Sequence, residues 1–188
     1  METLLRFDAG ILFWIQEHLT AQWLQETLLA FTFLGNHGFL WILLGAILLC
    51  IPRERKTGAA VLMVLLASYL VGNLLLKNIV MRPRPFIEFP QVSLLLPAPS
   101  GYSFPSGHAL SSFAAAAAVF RYHKKWGTAA LFIAAFIAFS RLALFVHYPT
   151  DVLAGALLGV SLSWLLLGRK SPLADRIGKN SGHSSASK

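Results

Sequence analysis

Apolar residues fill this chain in long uninterrupted blocks separated by short polar ones. No Asp, Glu, Lys or Arg occurs between Glu26 and Arg53, from Thr57 to Leu76, from Trp126 to Ser140 or from Val152 to Gly168. A bilayer core about 30 Å thick needs roughly 20 residues of helix. The pattern predicts spans at 38–52, 57–79, 106–121, 126–146 and 150–168, and leaves open whether 22–34 crosses as a sixth. Residues 4–19 read as an amphipathic helix lying in the membrane interface. Leu4, Phe7, Ile11 and Ile15 share one face, with Arg6, Gln16 and Glu17 off it. Gly35-Asn36-His37-Gly38 is a turn signal. Met81 to Pro105 holds six of the nine prolines and is expected as a non-helical loop. The expected fold is all-α: a polytopic transmembrane bundle of five to six spans with an N-terminal interfacial helix. Residues 1–168 would form one membrane-embedded domain, and 169–188 a disordered cytoplasmic tail ending in SGHSSASK.

Composition sharpens this picture. The 188 residues are 56% hydrophobic and 13% charged, against about half and about a quarter in soluble domains. So short a chain cannot wrap this many all-apolar helices in amphipathic ones, which excludes a large soluble core. The net charge of +8 does not point to nucleic acid, because the basic residues punctuate the apolar runs. Arg53, Arg55 and Lys56 fill one loop, and Arg121, Lys124 and Lys125 another. Arg169, Lys170, Arg176, Lys179 and Lys188 follow the last span. Span parity puts these three groups on one side, and the positive-inside tendency makes that side cytoplasmic. Lys77, Arg82, Arg84 and Arg141 fall at the opposite face, where topology does not call for them. Cys50, the single cysteine, excludes an internal disulfide and reads as a small membrane-buried side chain. Trp14, Trp23, Trp41, Trp126 and Trp164 read as interfacial anchors. The start, Met1 to Phe7, lacks the pattern of a cleavable signal.

Three polar blocks interrupt the apolar pattern at outer helix ends. They are KNIVMRPRP with Lys77 and Arg84, PSGH from Pro105 to His108, and SRLALFVHYPTD with Ser140-Arg141, His147 and Asp151. Ionisable groups in spans are costly and usually functional. The inventory fits a phosphoryl group. Lys77, Arg84 and Arg141 supply positive charge, and the arginines are suited to bidentate contact with phosphate. Ser106 and Gly107 begin a helix, whose free N–H groups favour an anion. Of two histidines, one can attack phosphorus and the other protonate the leaving oxygen. Asp151, four residues after His147, can orient an imidazole. Taken singly, each block has a plain structural reading: a hydrogen-bonded histidine, a helix cap, a stiff loop, a snorkelling arginine. Their joint occurrence on one side is hard to explain that way. Asn36 and His37 read as turn residues, and Arg82 is ambiguous beside Arg84.

Lys77-x6-Arg84-Pro85, Pro105-Ser106-Gly107-His108 and Ser140-Arg141-x5-His147-x3-Asp151 resemble the three signature blocks of the type-2 phosphatidic acid phosphatase superfamily. The resemblance implies that His147 is the nucleophile and forms a phosphohistidine, that His108 is the general acid, and that Asp151 orients His147. It also implies that Lys77, Arg84, Ser106, Gly107 and Arg141 hold the phosphate, and that no metal or other cofactor is needed. The sequence has no evident carboxylate cluster for Mg²⁺. The short chain is similar to small bacterial members, which implies a multi-pass protein of the bacterial cytoplasmic membrane with its site facing outward. The implied partners are a lipid phosphate and membrane lipids, without nucleic acid. Outer-face chemistry favours undecaprenyl diphosphate; the alternatives are phosphatidylglycerol phosphate, phosphatidic acid and lipid A phosphates. The apolar loop Phe86 to Phe104 suits either a lipid entrance or membrane contact. A lipid transporter and a non-catalytic scaffold are the competing classes. The charges cluster at one face instead of the midplane, and no internal repeat is evident, which disfavours transport.

Overall fold

The computed structural model describes residues 2–18 and 21–168, so the expected tail over 169–188 lies outside the described residues. Those described form helices and no strand. Helix α1 covers Glu2–His18 and α2 Gln22–Gly35; after a 3₁₀ turn at Asn36–Gly38, α3 covers Phe39–Cys50. Helix α4, Arg55–Ser68, continues through a π-helical stretch, Tyr69–Leu76, into α5, Lys77–Val80. The loop that follows contains α6, Pro85–Glu88, before α7, Gly107–Tyr122. Helices α8, Lys124–Ala143, and α9, Pro149–Leu167, complete the bundle.

Among the described residues, four runs are long and apolar enough to cross a membrane: Trp23–Cys50, Arg55–Glu88, Lys124–Ala143 and Pro149–Leu167. The stretch 22–34 is therefore no separate span. It runs into α3 as part of 28 residues, broken where His37 and Gly38 both take left-handed backbone angles. Helix α7 is shorter, at 16 residues, and forms the core of the bundle. Ala109, Leu110, Ala114, Ala115 and Ala118 are all buried. This alanine-rich helix lets its neighbours approach closely. A Cβ added at Gly155 of α9 would stand 2.7 Å from the Ser106 carbonyl oxygen, and one at Gly159 would collide with that of Leu110. Such small-residue seams are how helices pack in lipid, where apolar side chains gain little from mutual burial.

Two details differ from the sequence reading. Trp41 is 1% exposed and donates its indole N–H to Ser112 Oγ at 2.9 Å, so it pins α3 to α7 instead of anchoring at an interface. Helix α1 packs through Asp8, Ala9, Leu12 and Ile15, while Leu4 and Phe7 face outward. Its inward face carries a buried carboxylate, Asp8, among apolar residues. Cys50 is exposed on the protein surface.

The two ends of the bundle differ in chemistry. The α3–α4 and α7–α8 turns meet through His123 Nε2 and Glu54 Oε2, 2.6 Å apart. Arg121 and Lys124 border a hollow shared with Ser163 and Gly168 near the end of α9. The basic loops thus share one end. Lys77, Arg84, His108, Arg141 and His147 gather toward the other.

Candidate active site

The site is assembled where four helix ends meet. Lys77 follows the π-helical stretch, and Arg84 directly precedes α6. Ser106 caps α7, its Oγ accepting from the Ala109 N–H at 3.5 Å. Arg141 occupies the last turn of α8. His147 lies in the turn between α8 and α9, and Asp151 in the first turn of α9. The Ser106 N–H donates to the Asp151 carbonyl at 3.1 Å, which ties the start of α7 to that of α9. Pro149 at the first position of α9 sets the helix start without losing a bonded N–H.

A cavity of about 480 Å³ opens among these groups. Lys77, Arg84, Gly107, His108, Arg141 and His147 line its polar end, and Ile42, Leu62, Leu65 and Leu66 its apolar wall. Ser106 and Asp151 are fully buried behind it. Asn36 and His37 also come to this region: His37 lines the cavity, and Asn36 Oδ1 lies 3.1 Å from His108 Nε2.

The arginines are used unequally. Arg84 donates from Nε to the Gly101 carbonyl at 2.9 Å and from one terminal nitrogen to that of Ser100 at 3.0 Å. Its other terminal nitrogen reaches the Val146 carbonyl at 3.1 Å and His147 Nε2 at 3.3 Å. Four of its donors therefore meet protein acceptors, which leaves little of the fork for bidentate phosphate binding. Arg141 is different. It donates to Thr32 Oγ1 at 2.7 Å, but its buried Nε–H has no partner among the described residues. An unpaired guanidinium donor costs too much to bury unless something else satisfies it.

The His147 surroundings fix its tautomer. A guanidinium has no acceptor, so the Arg84 contact requires a lone pair on Nε2 and places the ring proton on Nδ1. Nδ1 then donates to Ser103 Oγ at 3.2 Å, and Ser103 donates onward to Asp151 Oδ2 at 2.6 Å. The direct Nδ1 to Asp151 separation is 3.9 Å. Asp151 thus reaches the imidazole through a hydroxyl, not by the direct bond its i+4 spacing suggested. Asp151 Oδ2 also accepts the Tyr148 N–H at 3.1 Å. Burial, partly offset by Asp151, and then the charges of Arg84 and Arg141 lower the His147 pKa to about 3. The ring is neutral near pH 7, with its Nε2 lone pair available.

Sequence reasoning missed Ser103, Thr32 and Asp8. Arg82 is resolved as an ion-pair partner, 2.7 Å from Asp8 Oδ2 and 2.6 Å from Asp151 Oδ1. Among the described residues, no group of three or more His, Cys, Asp or Glu is placed to hold a metal ion.

Residues 57–171, more than half of the chain, match the PAP2 superfamily. The chain is 35% identical over 136 residues to an undecaprenyl-diphosphatase of Sulfolobus acidocaldarius, covering 71% of this chain and 66% of that one. It is 35% identical over 159 residues to phosphatidylglycerophosphatase B of Bacillus subtilis, covering 78% and 75%. Its matches thus span just under two thirds of the archaeal relative's length and more of the bacillar one's. The crystal structure of the transmembrane PAP2-type phosphatidylglycerolphosphate phosphatase from Bacillus subtilis superposes with a TM-score of 0.74 at 26% identity, over 94% of this chain and 89% of that one. The extent of the family match, together with these relatives, shows that the chain belongs to the PAP2 superfamily.

Proposed function

We propose that the protein is an integral-membrane lipid phosphatase that works through a phosphohistidine at the outer membrane face, with undecaprenyl diphosphate as its substrate. The observation that carries this reading is the convergence of a lone-pair-bearing His147 Nε2 with Lys77, His108 and Arg141 on one cavity. A phosphate oxygen paired with the Arg141 guanidinium would bring its phosphorus to the histidine. Lys77 and the N–H groups at the start of α7, at Gly107 and His108, supply further anion contacts. The apolar wall suits a lipid chain.

His147 Nε2 attacks phosphorus, and the bond to the leaving oxygen breaks. His108, holding a second proton while the phosphate supplies countercharge, gives that proton to the leaving oxygen. Asn36 Oδ1 accepts from its Nε2. The phosphorylated His147 is cationic, and the Ser103–Asp151 pair stabilises it through Nδ1–H. Water then attacks phosphorus, the N–P bond breaks, and inorganic phosphate leaves. His108 takes the water proton, which returns both histidines to their starting states. No step calls for a metal ion.

Outer-face orientation is supported by the basic loops at the opposite end, which the positive-inside tendency assigns to the cytoplasm. The relative named undecaprenyl-diphosphatase supports the substrate. The test is phosphate release by detergent-purified protein from a panel of lipid phosphates in excess EDTA. Native protein should release phosphate, fastest from undecaprenyl diphosphate, and His147→Ala should lose at least about 10³-fold. Far faster hydrolysis of phosphatidylglycerol phosphate would overturn the substrate assignment, and dependence on added metal would overturn the mechanism.

A further inference from the structure

Asp8 lies on the inward face of α1, fully buried, in a segment outside all three signature blocks and outside the PAP2-matching region. A buried carboxylate is costly unless its oxygens are fully partnered, and those of Asp8 are. Oδ1 accepts the Thr150 N–H at 3.1 Å. Oδ2 accepts the Thr150 hydroxyl at 2.6 Å and an Arg82 terminal nitrogen at 2.7 Å. The second terminal nitrogen of Arg82 holds Asp151 Oδ1 at 2.6 Å and Thr150 Oγ1 at 2.8 Å. The guanidinium lies over the Tyr148 ring, its carbon 3.9 Å from the centroid. Arg82 is thus fixed by a carboxylate on each side and a ring face below.

This cluster joins the His147 relay without a gap. Asp151 presents one oxygen to Arg82 and the other to Ser103, and Ser103 meets His147 Nδ1. We propose that Asp8 is a positioning residue of the phosphatase site, holding Arg82 against Asp151 and so fixing the orientation of Ser103 and the His147 ring. This assignment rests on His147 acting as proposed above. It makes α1 a functional part of the catalytic end.

The charge logic explains why Asp8 is needed. With Asp8 gone, Arg82 would be drawn wholly to Asp151, competing with Ser103 for the carboxylate and loosening the histidine. A small misplacement of a reacting group can cost about 10²-fold in rate. Asp8 touches neither the cavity nor the site of phosphate binding, so the loss should fall on kcat with KM little changed.

The experiment compares steady-state kinetics and thermal unfolding of detergent-purified native protein, Asp8→Asn, Asp8→Glu and the double variant Asp8→Asn/Arg82→Gln, on the best substrate of the panel. Glu2→Gln serves as a control on the same helix, since Glu2 is exposed and, among the described residues, pairs with Arg6 at 3.9 Å. Asp8→Asn should lower kcat about 10- to 100-fold at nearly unchanged KM. Asp8→Glu should recover part of the loss. The double variant, relieved of an unbalanced guanidinium, should exceed Asp8→Asn alone. Asp8→Asn activity within twofold of native would overturn the proposal. So would a loss seen in KM alone, or a loss that tracks a lowered unfolding temperature and is not rescued by glutamate. If Asp8→Asn does not fold, Thr150→Val decides: it removes one bond each to Asp8 and Arg82, and unchanged kcat would count against the cluster. A native protein that releases no phosphate would instead defeat the phosphatase reading itself.

Discussion

At the residue scale, Ser103 is the most informative position. It stands between His147 and Asp151 and turns a 3.9 Å separation into two hydrogen bonds. Replacing it with alanine should leave His147 Nδ1–H without an acceptor and lower kcat by about 10- to 100-fold, with KM little affected. Steady-state kinetics on the native protein and Ser103→Ala test this. An unchanged kcat would mean that Asp151 closes onto the ring unaided. The signature residues were legible in the sequence because each is an ionisable or helix-starting group where apolar residues are the rule. Lys77, Arg84, His108, Arg141 and His147 do converge on one cavity. Ser103, Thr32 and Asp8 were not legible. A serine in a loop, a threonine in an apolar helix and an aspartate on an amphipathic one are unremarkable locally. Their partners lie 44, 109 and 74 residues away, and only folding reveals them.

At the element scale, the seam between α7 and α9 sets the geometry of the site, since Ser106 and His108 ride on one helix and Asp151 on the other. Gly155 and Gly159 allow that approach. Gly159→Ala puts a methyl group against the Leu110 carbonyl and the Ala114 N–H. It should destabilise the protein by about 1–3 kcal/mol, read as a lower unfolding temperature in detergent, with activity falling as α7 shifts. Stability equal to native would show the seam to be loosely packed. Hydropathy blocks marked α3, α4, α8 and α9 because lipid exposure demands long apolar runs. They did not mark the π-helical stretch Tyr69–Leu76 or the short helix Pro85–Glu88. Those depend on backbone hydrogen-bond choices with no hydropathy signature. The face that α1 turns inward was also hidden, because Asp8 enters the bundle only as the partner of Arg82.

At the scale of the whole molecule, charge divides the bundle into a basic-loop end and an end that holds the cavity. In a Cys50→Ser background, a cysteine at Leu95 should react in intact cells with a membrane-impermeant thiol reagent, and one at Arg55 should react only after lysis. The reverse pattern would place the site in the cytoplasm. The orientation matters chemically, because under the proposed function a lipid phosphate would reach the cavity from the leaflet at that end.

The most direct measurement of the central claim is rapid quenching of native protein during turnover of a lipid bearing a labelled terminal phosphate, followed by acid and alkali treatment of the protein. The account predicts label on the native chain that is released by acid and survives alkali, as an N–P bond does, and none on His147→Ala. Turnover without labelled protein, or label that persists in His147→Ala, would contradict it.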